Sequence, residues 1–203
     1  MKVVAISALA LTSAVMLPGA ALAQAQAFDG PSIGVQGGWT EDKVENPVTD
    51  LGVLALDTTK DKATFGGYVA YDKTLGNFLV GTEAGFSIGT KDTVSGGPAN
   101  AYATLDPKWS FDVTARAGYL VTPKTLVYAR GGYTNARLRS SLTTPAGTAS
   151  TLENRDGWLV GAGVERSIMP NVSARLEYRY SDLSDEGGTF DRHQTLLGLT
   201  YRF

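Results

Sequence analysis

Through most of the chain from residue 31 onward, apolar and aromatic side chains alternate with small, polar or charged ones. That is the period of a pleated strand, not the 3.6-residue period of a helix. Eight segments carry the pattern: Pro31–Thr40, Ala63–Lys73, Phe78–Ile88, Lys108–Val121, Thr125–Leu138, Gly157–Ile168, Asn171–Ser181 and Arg192–Phe203. Most are near the roughly 9–11 residues that a tilted strand needs to cross a bilayer.

The connections between them alternate in length. Thr74–Asn77, Thr122–Lys124 and Met169–Pro170 are tight, whereas Glu41–Lys62, Gly89–Pro107, Arg139–Asp156 and Asp182–Asp191 are long and polar. Within the long ones, Ser95-Gly96-Gly97-Pro98 and Asp185-Glu186-Gly187-Gly188 read as mobile loops. An even strand number with short turns at one end and long loops at the other is the arrangement of bacterial outer-membrane barrels. The expected fold is therefore all-β, an eight-stranded antiparallel up-and-down transmembrane β-barrel with its first strand paired to its last, because an open strand edge cannot face hydrocarbon.

The polarity of the two faces separates this class from a soluble barrel, which would bury its apolar row. In the last segment Thr195, Leu197, Leu199, Tyr201 and Phe203 oppose Arg192, Gln194, Leu196, Gly198, Thr200 and Arg202. In the seventh, Val172, Ala174, Leu176, Tyr178 and Tyr180 oppose Ser173, Arg175, Glu177 and Arg179. The fourth sets Trp109, Phe111, Val113, Ala115, Ala117 and Tyr119 against Asp112, Thr114, Arg116 and Gly118, and the third sets Phe78, Val80, Ala84, Phe86 and Ile88 against Gly81, Glu83 and Gly85. The fifth is ambiguous, since placing Arg130 inside also turns Leu126 and Tyr128 inward. A lipid-facing Arg or Lys near mid-membrane costs about 2–4 kcal/mol, so the charged rows are assigned to the interior.

An eight-stranded interior is just wide enough for side chains to fill. The predicted interior charges are Glu83, Asp112, Glu165 and Glu177 with Arg116, Arg130, Arg175, Arg179 and Arg202. Taken from water, they must be paired. If the sixth and seventh segments fold symmetrically about Pro170, Glu165 faces Arg175 as a buried pair. If the fourth and fifth fold about Pro123, Arg116 faces Arg130, and the two need a carboxylate such as Glu83 or Asp112 nearby. A structural plug of ion pairs is the plain reading of this set; a gated path or proton relay is the other.

The N-terminus adds an address. Lys2, the apolar stretch Val3–Leu17, Pro18-Gly19 and Ala21-Leu22-Ala23 have the layout of a secretory signal peptide, so residues 1–23 are expected to be removed and 24–203 to form the barrel domain. Without Lys2 the mature chain has 17 basic and 20 acidic residues, a net charge of −3, and nothing points to nucleic acid. Cysteine is absent, which is compatible with an oxidising compartment.

Ala174-Arg175-Leu176-Glu177-Tyr178-Arg179-Tyr180, Gly157-Trp158-Leu159-Val160-Gly161-Ala162-Gly163-Val164-Glu165, Val127-Tyr128-Ala129-Arg130-Gly131-Gly132-Tyr133 and the terminal Tyr201-Arg202-Phe203 resemble the outer-membrane β-barrel domain family, the small opacity-type surface proteins often labelled porin family. The resemblance spans essentially the whole mature chain. It implies an outer-membrane location among lipid and lipopolysaccharide, assembly by the barrel-insertion machinery, and a role in envelope integrity or surface contact, with an external ligand met through the loops. Phe203, with Tyr201 and Leu199 on its face, matches the family's C-terminal assembly signal. No peptidoglycan-binding domain, and so no cell-wall anchor, is expected.

Two rival functions stay open at this level. One is a small-solute porin, which a filled interior opposes. The other is an outer-leaflet lipid-modifying enzyme, which needs a nucleophile and an oriented base. The sole histidine, His193, is followed by Gln194-Thr195, and no Gly-x-Ser-x-Gly elbow occurs. The loop acids Asp182, Asp185, Glu186 and Asp191 lack the spacing of a calcium loop. No catalytic residue, cofactor or metal site is therefore expected.

Overall fold

The computed structural model describes residues 27–45, 48–49, 52–53, 57–90, 94–96, 102–145, 147–184 and 189–203. The proposed signal peptide and the loop acids Asp185 and Glu186 lie outside them. Eight long strands form the wall: β1 Gly30–Glu45, β2 Asp57–Leu75, β3 Phe78–Gly89, β4 Tyr102–Thr122, β5 Thr125–Thr144, β6 Gly147–Met169, β7 Val172–Asp182 and β8 Thr189–Arg202. Each is antiparallel to its neighbours in sequence, and β1 pairs with β8 from Ser32↔Arg202 to Glu45↔Thr189, which closes the ring. Short ladders join Val48–Thr49 to Gly52–Val53, and Val94–Gly96 to β4.

The wall follows the expected parity. Ile33, Val35, Val69, Val113, Leu176, Leu197 and Leu199 are exposed on the outer face, while the alternate positions are buried. β5 resolves its ambiguity by sending Leu126, Tyr128 and Arg130 all inward. The charge decides this, because Arg130 gains carboxylate partners inside, whereas turning the strand over would put it in lipid. Outward aromatics pair at the interfaces: Phe78 with Tyr119, Phe86 with Trp109 and Trp158 with Tyr180.

The long connections are shorter than the sequence pattern indicates. β5 runs to Thr144 and β6 starts at Gly147, so the expected loop Arg139–Asp156 is mostly hairpin. Ser and Thr, which read as loop composition, here flank a ladder with paired backbones and a 3.1 Å contact between the Thr143 and Thr148 hydroxyls. Threonine is also a good strand former. β1, β2, β4 and β8 extend into the other long connections in the same way.

Candidate functional site

The sequence-predicted interior charges meet inside the barrel in two adjoining ion-paired groups, with Tyr128 between them: its hydroxyl donates to Glu177 and Arg116 lies over its ring. Glu83, Asp112, Arg116, Arg130, Glu165, Arg175, Glu177, Arg179 and Arg202 are all buried. A tenth member, Asp72 on β2, lies outside the predicted set, and its parity with buried Tyr68 and Thr74 is the sequence signal that marks it. Among the described residues these ten divide into five arginines and five carboxylates, so their charges cancel.

Near the short turns, Arg116 donates to Asp72 through Nε at 2.7 Å and Nη2 at 2.5 Å, and through Nη1 to Glu165 at 3.1 Å. Arg202 reaches Asp72 at 3.2 Å and Glu165 at 3.6 Å, while Ser173 donates its hydroxyl to Glu165. In the middle, Arg175 grips Glu83 at 2.6 and 3.0 Å and lies 3.6 Å from the centroid of the Tyr68 ring. Gly34 makes room for that ring, since a Cβ there would sit 2.1 Å from Tyr68 Cζ. Arg130 donates to Glu83 at 2.7 Å, to Glu177 at 3.2 Å and to Thr114 at 2.6 Å. Arg179 pairs with Glu177 and lies 3.4 Å from Asp112; Gln36 accepts from both Arg175 and Arg179. Toward the long loops, Asp42 takes both Arg192 and Lys62.

The expected Glu165–Arg175 pair is corrected by this geometry. The two residues are backbone partners across β6 and β7, but Glu165 bonds to Arg116 and Ser173 and Arg175 bonds to Glu83. Arginine side chains are long enough to cross a filled lumen, so strand register does not choose the partner. Arg116 and Arg130 are backbone partners too; each turns to its own carboxylates, Asp72 and Glu83 first.

A buried apolar cluster lies toward each end of the network. At the short-turn end Phe28 is fully buried with Leu79, Leu126 and Tyr128. The chain passes from this position into β1 through Gly30 at φ +101°, a conformation that residues other than glycine disfavour. Arg202 donates to Ala27 O at 2.8 Å, and Asp29 accepts from Thr74 N–H and Lys73 Nζ, both at 2.8 Å. At the long-loop end Val44, Ala136, Leu138, Leu183 and Phe190 form a second buried cluster. Neither cluster was read from the sequence, because Phe28 precedes the first strand segment and Leu183 and Phe190 fall in a connection.

The family model of the outer membrane protein beta-barrel domain matches residues 7–203. The chain belongs to this family. Its relatives include the 31 kDa outer-membrane immunogenic protein of Brucella melitensis, 27% identical over 92% of this chain and 88% of that protein. Another is the 22 kDa outer membrane protein of Rhizobium leguminosarum bv. viciae, 31% identical over 68% of this chain and 66% of that one. Among solved structures, Ail of Yersinia pestis, crystallised with the heparin analogue sucrose octasulfate, has a TM-score of 0.54 at 18% identity, covering 86% of this chain and 99% of its own. Neisserial surface protein A has a TM-score of 0.52 at 16% identity, covering 86% of this chain and 100% of its own. The chain is an outer-membrane β-barrel protein, and the end with the short turns is the one that faces the periplasm in such barrels.

Of the remaining predicted positions, His193 stands on the outer wall, its Nδ1 2.7 Å from the Tyr178 hydroxyl. Asp182 accepts from Ser184 N–H at 2.9 Å and Asp191 from the Tyr180 hydroxyl at 2.9 Å. Leu199, Tyr201 and Phe203 lie on the outer face at the end of β8, with the Tyr201 and Phe203 rings edge to face.

Proposed function

We propose that the protein is a sealed, non-catalytic barrel that contributes to envelope integrity and meets its surroundings through the extracellular strand extensions and loops. The observation that carries this reading is an ion-paired lumen with a buried apolar cluster toward each mouth, around Phe28 and around Phe190. A solute path would have to displace ten mutually compensating charges and both clusters, and stripping one partner from a buried pair costs about 3–5 kcal/mol. His193 supports the non-catalytic part, because its Nδ1 is engaged by a phenol on the membrane-facing wall. Single-channel recording in planar bilayers tests the reading: no steady conductance is expected, and an open channel would favour the small-solute porin instead. A deletion strain challenged with detergent and large antibiotics tests the envelope role, with increased sensitivity expected.

The maturation steps belong to the same proposal. Residues 1–23 act as a cleaved signal, so mature protein begins at Gln24. Leu199, Tyr201 and Phe203 form the outward row that the barrel-assembly machinery reads; their exposure and position at the end of the closing strand support this. Phe203→Ala is expected to lower the amount of folded protein in outer membranes without changing synthesis.

A further inference from the structure

The outer wall carries a lateral groove where β7, β8 and β1 leave the membrane. It is an open depression of about 280 Å³ bordered by Trp39, Glu41, Tyr178, His193 and Thr195. Trp39 and Tyr178 are 57% and 51% exposed, so their rings form open walls. The walls are braced from behind. Tyr178 is bonded to His193, the His193 and Tyr180 rings lie 5.1 Å apart, and Tyr180 packs on Trp158 at 5.5 Å. Below the groove, toward mid-membrane, the same faces present Val35, Leu176, Leu197 and Leu199, an unbroken apolar track.

Glu41 gives the groove its charge. It is exposed, and in the strand register it stands between His193 of β8 and Asp61 of β2, also exposed. Among the described residues neither Glu41 nor Asp61 takes an ion pair or a side-chain hydrogen bond. Two like charges opposite one another on a sheet repel, and both sit at the headgroup level, immediately beyond the aromatic girdle. Of the chain's own cations at this end, Lys62 and Arg192 point inward to Asp42, while Lys60 is exposed beside Asp61 and Lys43 is exposed two residues beyond Glu41 with a contact of its own.

A carboxylate above two aromatic faces suits an organic cation, because the faces of Trp and Tyr attract cations as a carboxylate does. A phosphate or sulfate would be repelled. The apolar track continuing from the groove suits an acyl chain. We infer that the groove binds an outer-leaflet lipid with an ammonium headgroup, the cation held between the Glu41 carboxylate and the rings of Trp39 and Tyr178, and the acyl chain lying along Val35, Leu197 and Leu199. The inference rests on the membrane placement that the family establishes, and not on the sealed-lumen reading.

The test uses the full mature barrel folded in uncharged maltoside micelles, with the indole N–H resonances of its three tryptophans as reporters. Tetradecyltrimethylammonium is titrated in as the membrane-inserted cation. The Trp39 resonance is expected to shift saturably while that of Trp109 stays fixed, and Glu41→Gln and Tyr178→Leu should each weaken the response about tenfold, as loss of one ion-pair or cation–π contact at an interface would. Both positions are on the outer wall, so heat-dependent gel mobility checks that the variants still fold. Soluble tetramethylammonium at equal concentration should give no saturable shift. A response equal in wild type and Glu41→Gln, equal for all three indoles, or reproduced by tetramethylammonium overturns the inference. So does displacement by magnesium at equal potency, which would make the groove a divalent-cation site.

Discussion

At the scale of single residues, the interior shows how little strand register says about charge pairing. Glu165 and Arg175 are cross-strand neighbours, yet the short contacts of Arg175 are to Glu83 on β3, on the opposite wall. Unfolding in detergent micelles by urea therefore separates two couplings. Arg175→Leu alone should cost about 3–5 kcal/mol, because Glu83 loses a buried partner. Adding Glu83→Leu should cost much less than the sum of the single effects, whereas adding Glu165→Leu should show the smaller coupling of the two pairs. Equal couplings would mean that Glu165 and Arg175 share charge after all. Glu83 also faces Arg130 at 2.7 Å, so some loss remains in any double change.

At the scale of elements, the segment before β1 behaves as a strap across the periplasmic mouth. Phe28 is its anchor, and Phe28→Ala is expected to destabilise the barrel by about 3–5 kcal/mol if the mouth does not collapse to fill the space. The same change should lower the temperature at which the folded band disappears on a gel. Asp29 holds the strap from the side. Burial works against its charge, but the Lys73 ammonium and the Thr74 N–H outweigh that and keep the carboxyl below the ordinary carboxylate range. A depressed value in the folded state means that the contribution is present above the ordinary value of 3.8 and is lost as the pH falls through the depressed one. The Thr74 amide resonance should follow that loss below about pH 4 in the wild type and stay flat in Asp29→Asn. Titration at the ordinary value would break the link between Asp29 and the strap.

At the scale of the whole molecule, the ladder is continuous from β1 round to β8, with fourteen register pairs from Ser32↔Arg202 to Glu45↔Thr189 at the closing seam. Opening it exposes backbone groups that hydrocarbon cannot satisfy. Purified outer membranes should thus give a folded band in SDS that shifts only on boiling, and one mobility under both conditions would contradict a closed ring.

Eight strands, their lipid and lumen faces, and the inward set from Glu83 to Arg202 were legible in the sequence. The reason is local: a pleat alternates every residue, and hydrocarbon penalises a charge at any single position, so parity alone places Arg116, Glu177 or Leu197. The same rule places Asp72 inside with Tyr68 and Thr74 on the second strand. Strand ends were not legible, because the Ser/Thr run of Arg139–Asp156 has the composition of a loop and becomes a ladder only when two such runs meet. Nor were the charge partners or the two caps. Phe28, Leu183 and Phe190 are ordinary apolar residues outside any periodic segment, and their burial follows from the mouths that the closed ring creates. Which carboxylate each arginine takes was left to the tertiary structure, since in a lumen one side chain wide every long side chain reaches walls that are distant in sequence, and only the packed whole balances five positive charges against five negative ones.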